Sequence, residues 1–420
     1  MKKFLKIIMC MAASALMLIG ITAYADSAGF AVEDEAAISA KTPFSKDYVQ
    51  ILWSTPEAET AGVPISDGEY VLIPNLNKVN KLAEKDGRLT ASAELAEKVS
   101  GNCRGAVLNG VLVQPTRNGV CVINVGDMSV KCSAEFGEPV TDIALLNNFA
   151  YFGVKTGDGY KFVCADISGS LKTVWEYASD EQPTSPSLFG GYVLFGAGEN
   201  LVAHNADNDG YVENPVGAEI TSVFAGKYAV FMSGADGKLY KLRLNDDGST
   251  EKDTLTSCML GGTLTAPAEL NNRVYVGSTE GFFIVDGLNM ELVKAFPEMK
   301  NASEPFIVYG NVQRAYTAAP HADKDGDRWY LYSVLDNDNE QTASELAKII
   351  DYTNGRSDVS QSGIMFFRDA NGQVWAAAER ENDLFTIILK IVIMIAIVVM
   401  LMLILRAWSK KRAEKKPPQY

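Results

Sequence analysis

Two stretches of the chain carry carboxylates at a spacing that metal ions use. Asn205, Asp207, Asp209 and Gly210 read N-x-D-x-D-G, the first half of a calcium loop, in which alternating side-chain oxygens and a glycine turn wrap the ion. The second half breaks the pattern, because Val216 stands at the twelfth position, where a bidentate Glu belongs. Asn, Asp and Gly also build tight turns for backbone reasons, and the segment is read as a structural turn. Asp323, Asp325 and Asp327 form a denser acidic loop beside His321. Three alternating carboxylates have the chemistry of a divalent-cation site and equally that of a solvated hairpin tip; the tip is the reading adopted, so no metal ligand is assigned.

The chain holds two histidines, His204 and His321, which leaves little room for a histidine-based metal site or a Ser-His-Asp triad. No GxSxG elbow, HExxH helix, phosphate-cradling glycine loop or CxxCH haem site occurs. Apart from Cys10, five cysteines remain: Cys103, Cys121, Cys132, Cys164 and Cys258. They show no close CxxC pair, and free thiols on strands are the expected state. Cys121 and Cys132 flank the turn at Gly126 and Asp127 symmetrically, which leaves one bridge across a hairpin as the alternative. No catalytic residue and no cofactor follow from these residue types.

What positions these groups is a repeat. From about Ile65 to Ile388, an apolar run, a turn rich in Gly and Asn, and a second apolar run recur about every forty residues. The turns fall at Gly68, Asn109, Asn147, Gly190, Gly226, Asn271, Tyr309 and Asn371, making eight copies. The sixth copy, APAELNNRVYVGSTEGFFIVDGLNMELVKAF (266–296), resolves into four short strands rich in Val, Ile, Tyr and Phe, separated by hairpin turns. Four-stranded units repeated around an axis form a β-propeller, which leaves only short protected edges. The fold class expected is therefore all-β: a propeller of eight four-stranded blades, with seven as the alternative, over residues 48–386.

The eighth copy supplies three strands, 364–367, 374–378 and 384–388, and the missing outer strand is expected at residues 49–54, closing the ring. About sixty residues separate the seventh and eighth turns; residues 345–352 (ELAKIIDY) and a polar stretch account for the excess, as a loop with a helical turn or a degenerate blade boundary.

Both ends differ from the repeat. Lys2, Lys3 and Lys6, an apolar stretch to Ile21, and Ala23-Tyr24-Ala25 have the form of a secretory signal peptide over residues 1–25, followed by a flexible lead-in over 26–47. Residues 384–405 are almost wholly apolar and long enough to cross a hydrocarbon core of roughly 30 Å. Lys390 can snorkel to the headgroups, so the transmembrane helix is placed at 387–405. Arg406, Lys410, Lys411 and Arg412 follow it, whereas Glu379, Glu381 and Asp383 precede it, which puts the basic tail, 406–420, in the cytoplasm. The chain is thus expected to be a single-pass protein of the cell membrane with its mass outside. The formal charge of −14 hides an asymmetry: residues 26–383 hold 28 basic and 51 acidic side chains. Such a surface repels nucleic acid and anionic lipid.

The sixth unit, with RVYVGSTEGFFIVDGLNMELVKAF, resembles the repeat of quinoprotein (PQQ-like) β-propellers, whose closing strand often carries a Trp; Trp53 and Trp175 occupy that position here. The resemblance covers roughly residues 48–388 and implies seven or eight blades. It does not carry the enzyme with it. Quinoprotein dehydrogenases of this fold use adjacent cysteines, a calcium and an Asp base, and this chain has no adjacent cysteine pair and no residue that maps to the base or the calcium ligands. The function expected is a non-catalytic binding or assembly scaffold at the cell surface for a protein, peptide or glycan; the alternative is a degenerate quinoprotein or a carboxylate-based enzyme at one channel mouth.

Overall fold

A computed structural model describes residues 49–56, 62–101, 103–309, 313–323, 326–337, 340–349, 358–359, 364–368, 372–379 and 392–394. The chain divides into two units, Met1–Glu379 and Arg380–Tyr420. In the first unit the strands form eight antiparallel sheets, so the count is eight blades and not seven. Seven blades run through consecutive strands, from Ile65–Ser66, Tyr70–Asn75, Lys78–Ala83 and Leu89–Glu94 in blade one to Phe306–Tyr309, Gln313–Asp323, Gly326–Asn337 and Glu340–Ile349 in blade seven. Blade three carries the extra short strand Glu138–Pro139.

The ring closes as the sequence suggests at one end and differently at the other. Val49–Ser54 is the outer strand of blade eight, with Val49 opposite Glu379 and Ser54 opposite Trp375. The other three strands, however, are Asp358–Val359, Met365–Arg368 and Val374–Glu379. The turn expected at Asn371 and Gly372 therefore falls between the second and third strands, not the first and second, with Asn371 itself outside the described residues. The innermost strand is two residues long with no apolar run to announce it, so the expected assignment slips by one strand. Residues 384–388, expected as the third strand, also lie outside the described residues.

The excess before blade eight has a second source. Residues 345–349 are neither loop nor helical turn: they complete the outer strand of blade seven, where Ile349 pairs with Trp329. The second strand of that blade has eleven residues, against six in blade six. At about 3.4 Å per residue the longer hairpin reaches some 17 Å further.

Second and third strands are buried on both faces, because each blade packs against two neighbours. Their side chains alternate between the two interfaces. In blade two, Val120 and Val122 join Ile143, Ala150 and Phe152 of blade three, while Cys121 and Ile123 join Ile65, Leu72 and Val79 of blade one. The same alternation decides the cysteine question. Cys132 pairs with Val122, so it shares that residue's face and packs toward blade three. Cys121 points toward blade one, both thiols are free, and the bridge considered across this hairpin does not form. Burial pushes the Cys121 thiol up to about 11, which keeps it protonated at neutral pH.

The closing tryptophans lock neighbouring blades. Trp53 of blade eight donates its indole N–H to the Glu84 carbonyl of blade one at 2.7 Å. It also covers Gly87, where a Cβ would lie 2.6 Å from the indole. Trp175 of blade three stacks on His204 of blade four at 3.9 Å.

In the second unit, the described residues 392–394 are helical and all three side chains are exposed. No helix of the described residues is long and apolar enough to cross a membrane. The segments read as signal peptide, lead-in and basic tail lie outside the described residues, as does nearly all of the apolar stretch.

Candidate functional site

Blades three, four, six and seven enter their inner strands through short connectors with a leading Thr or Ser, and residues of these connectors line one cavity. The step into blade three is Thr141-Asp142, into blade four Thr184-Ser185, into blade six Thr265-Ala266 and into blade seven Ser303-Glu304. The first residue of each pair is spent on the frame. Thr141 Oγ1 accepts the Gly153 N–H at 2.7 Å, Thr184 Oγ1 that of Gly196 at 2.9 Å, Thr265 Oγ1 that of Gly277 at 3.1 Å, and Ser303 Oγ that of Ala318 at 2.9 Å. Glycine at the partner position has a steric reason. A Cβ on Gly277 would lie 2.5 Å from the carbonyl oxygens of Ala302 and Ser303, and one on Gly153 would lie 2.6 Å from Pro183.

The second residue of each pair faces the channel or links blades around it. Asp142 accepts the Arg104 N–H from blade two at 2.8 Å and gives its own N–H to Ser185 Oγ of blade four at 3.1 Å. Ser233 Oγ of blade five donates to the Thr265 carbonyl of blade six at 2.7 Å. The cavity enclosed is about 480 Å³, within the range of small-ligand sites. Its wall mixes hydroxyl-bearing residues, among them Thr221, Ser222, Thr263 and Thr279, with the apolar Val223, Leu264 and Ala302, and carries Asn301 and the two carboxylates Asp142 and Glu304. Among the described residues no Lys, Arg or His lines it.

The residues singled out by sequence lie elsewhere. Asn205 Oδ1 accepts the Asp207 N–H and Asn208 Oδ1 the Gly210 N–H, both at 2.9 Å. The calcium-like spacing is therefore a pair of Asx turns at the third-to-fourth strand corner of blade four, with Asp209 at φ 56°. The same corner recurs in other blades with Asp127, Asp166, Asp247 and Asp286, whose carboxylates accept the N–H two residues on. Asp323 and Asp327 sit at the end of the long hairpin of blade seven, where Asp323 pairs with Gly326 and Ala322 with Asp327; Asp325 lies outside the described residues. His321 lies below that tip, 3.5 Å from the Tyr332 hydroxyl. Among the described residues no group of three or more His, Cys, Asp or Glu is arranged to hold a metal ion.

His204 is fully buried, enclosed by Trp175 and Tyr151, and burial lowers its pKa, so it is a neutral packing residue. Neither histidine, neither acidic loop and none of the cysteines reaches the cavity. The Thr-x11-Gly spacing, 141/153, 184/196 and 265/277, is the signal that could have located the channel mouth beforehand.

No protein-family model and no curated protein matches the chain. Solved structures do. The chain is similar to BamB from Moraxella catarrhalis, at 15% identity and a TM-score of 0.56, over 79% of this chain and 99% of that one. It is similar to the computationally designed Ika8 protein at 13% identity and a TM-score of 0.58, over 79% and 99%. A third likeness is to Sqt1 from Saccharomyces cerevisiae, at 12% identity and a TM-score of 0.55, over 83% and 100%. At these identities the likeness establishes the propeller fold.

Proposed function

We propose that the protein is a PQQ-like propeller held at the outer surface of the cell membrane by its C-terminal helix, serving there as a non-catalytic scaffold that binds a protein partner. The observation that carries this reading is the use made of the polar groups at the channel mouth. The Thr and Ser hydroxyls recur in blades three, four, six and seven and hold the blade frames, and Asp142 is spent on tying blade three to blades two and four. A catalytic centre needs instead a singular acid, base or nucleophile set against its neighbours. The signal-peptide pattern and the apolar stretch at 384–405 support export and tethering.

One observation favours the enzyme reading: Asp142 and Glu304 both line a cavity large enough for a substrate. Affinity capture of the full chain from membranes, followed by mass spectrometry, separates the two. A stoichiometric protein partner is expected. Recovery of none, together with quinone or calcium binding by calorimetry, or turnover abolished in Asp142→Asn, overturns the scaffold reading.

A further inference from the structure

The chemistry of the partner is written in how charge is distributed on the face that bears the cavity, an inference that rests on the scaffold reading. Strands alternate in direction within each blade, so the inter-blade connectors and the hairpins between second and third strands share one face of the ring. On blades three to six those segments carry Asp158, Asp180, Glu181, Glu199, Glu219 and Glu280, all exposed. Three lysines and no arginine stand among or beside them: Lys155, opposite the exposed Glu138 of the adjoining connector; Lys238, already paired with Asp236 at 2.7 Å; and Lys300, two residues after the equally exposed Glu298. On blades one and two the same segments expose Lys98 and Arg117, adjacent through the hydrogen bond from the Arg117 N–H to the Lys98 carbonyl, with the half-buried Glu97 beside them accepting from Thr116 and Asn118.

The cavity opens on the acidic side, its wall running from Asp142 at the entry to blade three round to Glu304 at the entry to blade seven. The Ser222 hydroxyl in that wall has no hydrogen-bond partner among the described residues. The long hairpin of blade seven, Gln313–Asp323 with Gly326–Asn337, rises from the same face and bounds it. A low-dielectric cleft with walls of one charge sign concentrates its field at the opening.

We infer that the acidic half of this face, with the cavity at its inner edge, docks a basic, extended segment of a partner protein. A Lys or Arg side chain of that segment enters the cavity, its methylenes against Val223, Leu264 and Ala302 and its charge toward wall oxygens such as that of Ser222, where no cationic side chain of the described residues competes. Its neighbours lie over the carboxylates of blades three to six. Anionic lipid headgroups and nucleic acid are repelled by the same charges. The different charge of the two halves also fixes the direction in which the segment lies.

The test uses the full chain in nanodiscs of neutral lipid and labelled peptides of alternating Lys-Gly, Ser-Gly and Glu-Gly. The Lys-Gly peptide is expected to bind, to weaken about tenfold between low and physiological salt, and to outcompete the other two. The variant E181K/E199K/E219K/E280K is expected to lose at least tenfold in affinity, and Ala266→Arg, which places a cation in the cavity wall, to lose a similar factor. The matched variant E69K/D207K/D246K/E291K changes the net charge equally on exposed corners of the opposite face and is expected to stay within about threefold. Circular dichroism and melting curves confirm that each variant is folded. Equal binding of Lys-Gly and Glu-Gly, or equal losses from the two quadruple variants, overturns the inference. If the captured partner still binds the first quadruple variant undiminished, the inference fails while the scaffold reading stands.

Discussion

Two sets of acidic residues on the ring serve different ends. At the third-to-fourth strand corners, Asp127, Asp166 and Asp247 turn their carboxylates back onto the N–H groups of Ser129, Ser168 and Ser249, at 3.0, 2.8 and 2.9 Å. Hydrogen bonds from those serines hold all three carboxyls below the usual carboxylate range. On the opposite face, which bears the cavity, Glu181, Glu199, Glu219 and Glu280 stand exposed. A total charge says nothing of this partition. Acids that cap their own turns contribute to the fold, and only those left projecting can define a partner.

The contrast between the faces breaks most severely at the frame. Gly277→Ala forces a methyl group against two backbone oxygens at the channel mouth and is expected to cost about 3 kcal/mol or more, read from denaturant unfolding. Loss of cooperativity at blade six should accompany it. Thr184→Val removes the acceptor for the buried Gly196 N–H and is expected to cost about 1–3 kcal/mol in the same measurement. Gly110→Ala, a corner on the other face with φ 73° and open space around it, carries backbone strain alone and should cost about 1 kcal/mol. Equal losses at Gly277 and Gly110 would contradict the different roles given to the two faces.

How far such roles were legible in the sequence depended on whether a residue acts locally. The Asn-Gly turns and apolar runs placed blade six to within a residue or so at each strand, because hairpin chemistry is local. The closing strand Val49–Ser54 was readable as the one apolar run left without a blade. The inner strand Asp358–Val359 was not, since two residues carry no periodicity, and the end of blade seven's outer strand, within 345–352, read as a loop with a helical turn or a degenerate blade boundary because ELAKII does not alternate cleanly. For the site, composition drew attention to Asp207, Asp209, Asp323 and His204. The cavity instead collects single residues such as Ser222, Thr263 and Glu304 from separate blades, and only closure of the ring brings them together.

A smaller effect sharpens the contrast. For Asp127, Asp166 and Asp247 the folded-state pKa lies below the ordinary value of 3.8, so their contribution is present above that pH and is lost as pH falls through the lowered folded value. Replacing all three with Asn, which can make the same turn but carries no charge, should lower stability slightly at pH 7, remove the difference from the parent at acid pH and so flatten the decline in melting temperature below about pH 4. The smallest effect expected is on stability after reversing Glu181, Glu199, Glu219 and Glu280, within about 0.5 kcal/mol in each case.

The most direct measurement places a photo-crosslinking side chain at Thr279 on the cavity face or at Tyr228 on the opposite face of the full chain in its native cells. Both residues are exposed, Tyr228 to 64%. The scaffold reading expects one discrete protein adduct from Thr279, joined through a peptide rich in Lys and Arg and lost when the four carboxylates are reversed. An adduct from Tyr228 alone, or an adduct from Thr279 unaffected by that reversal, would contradict it.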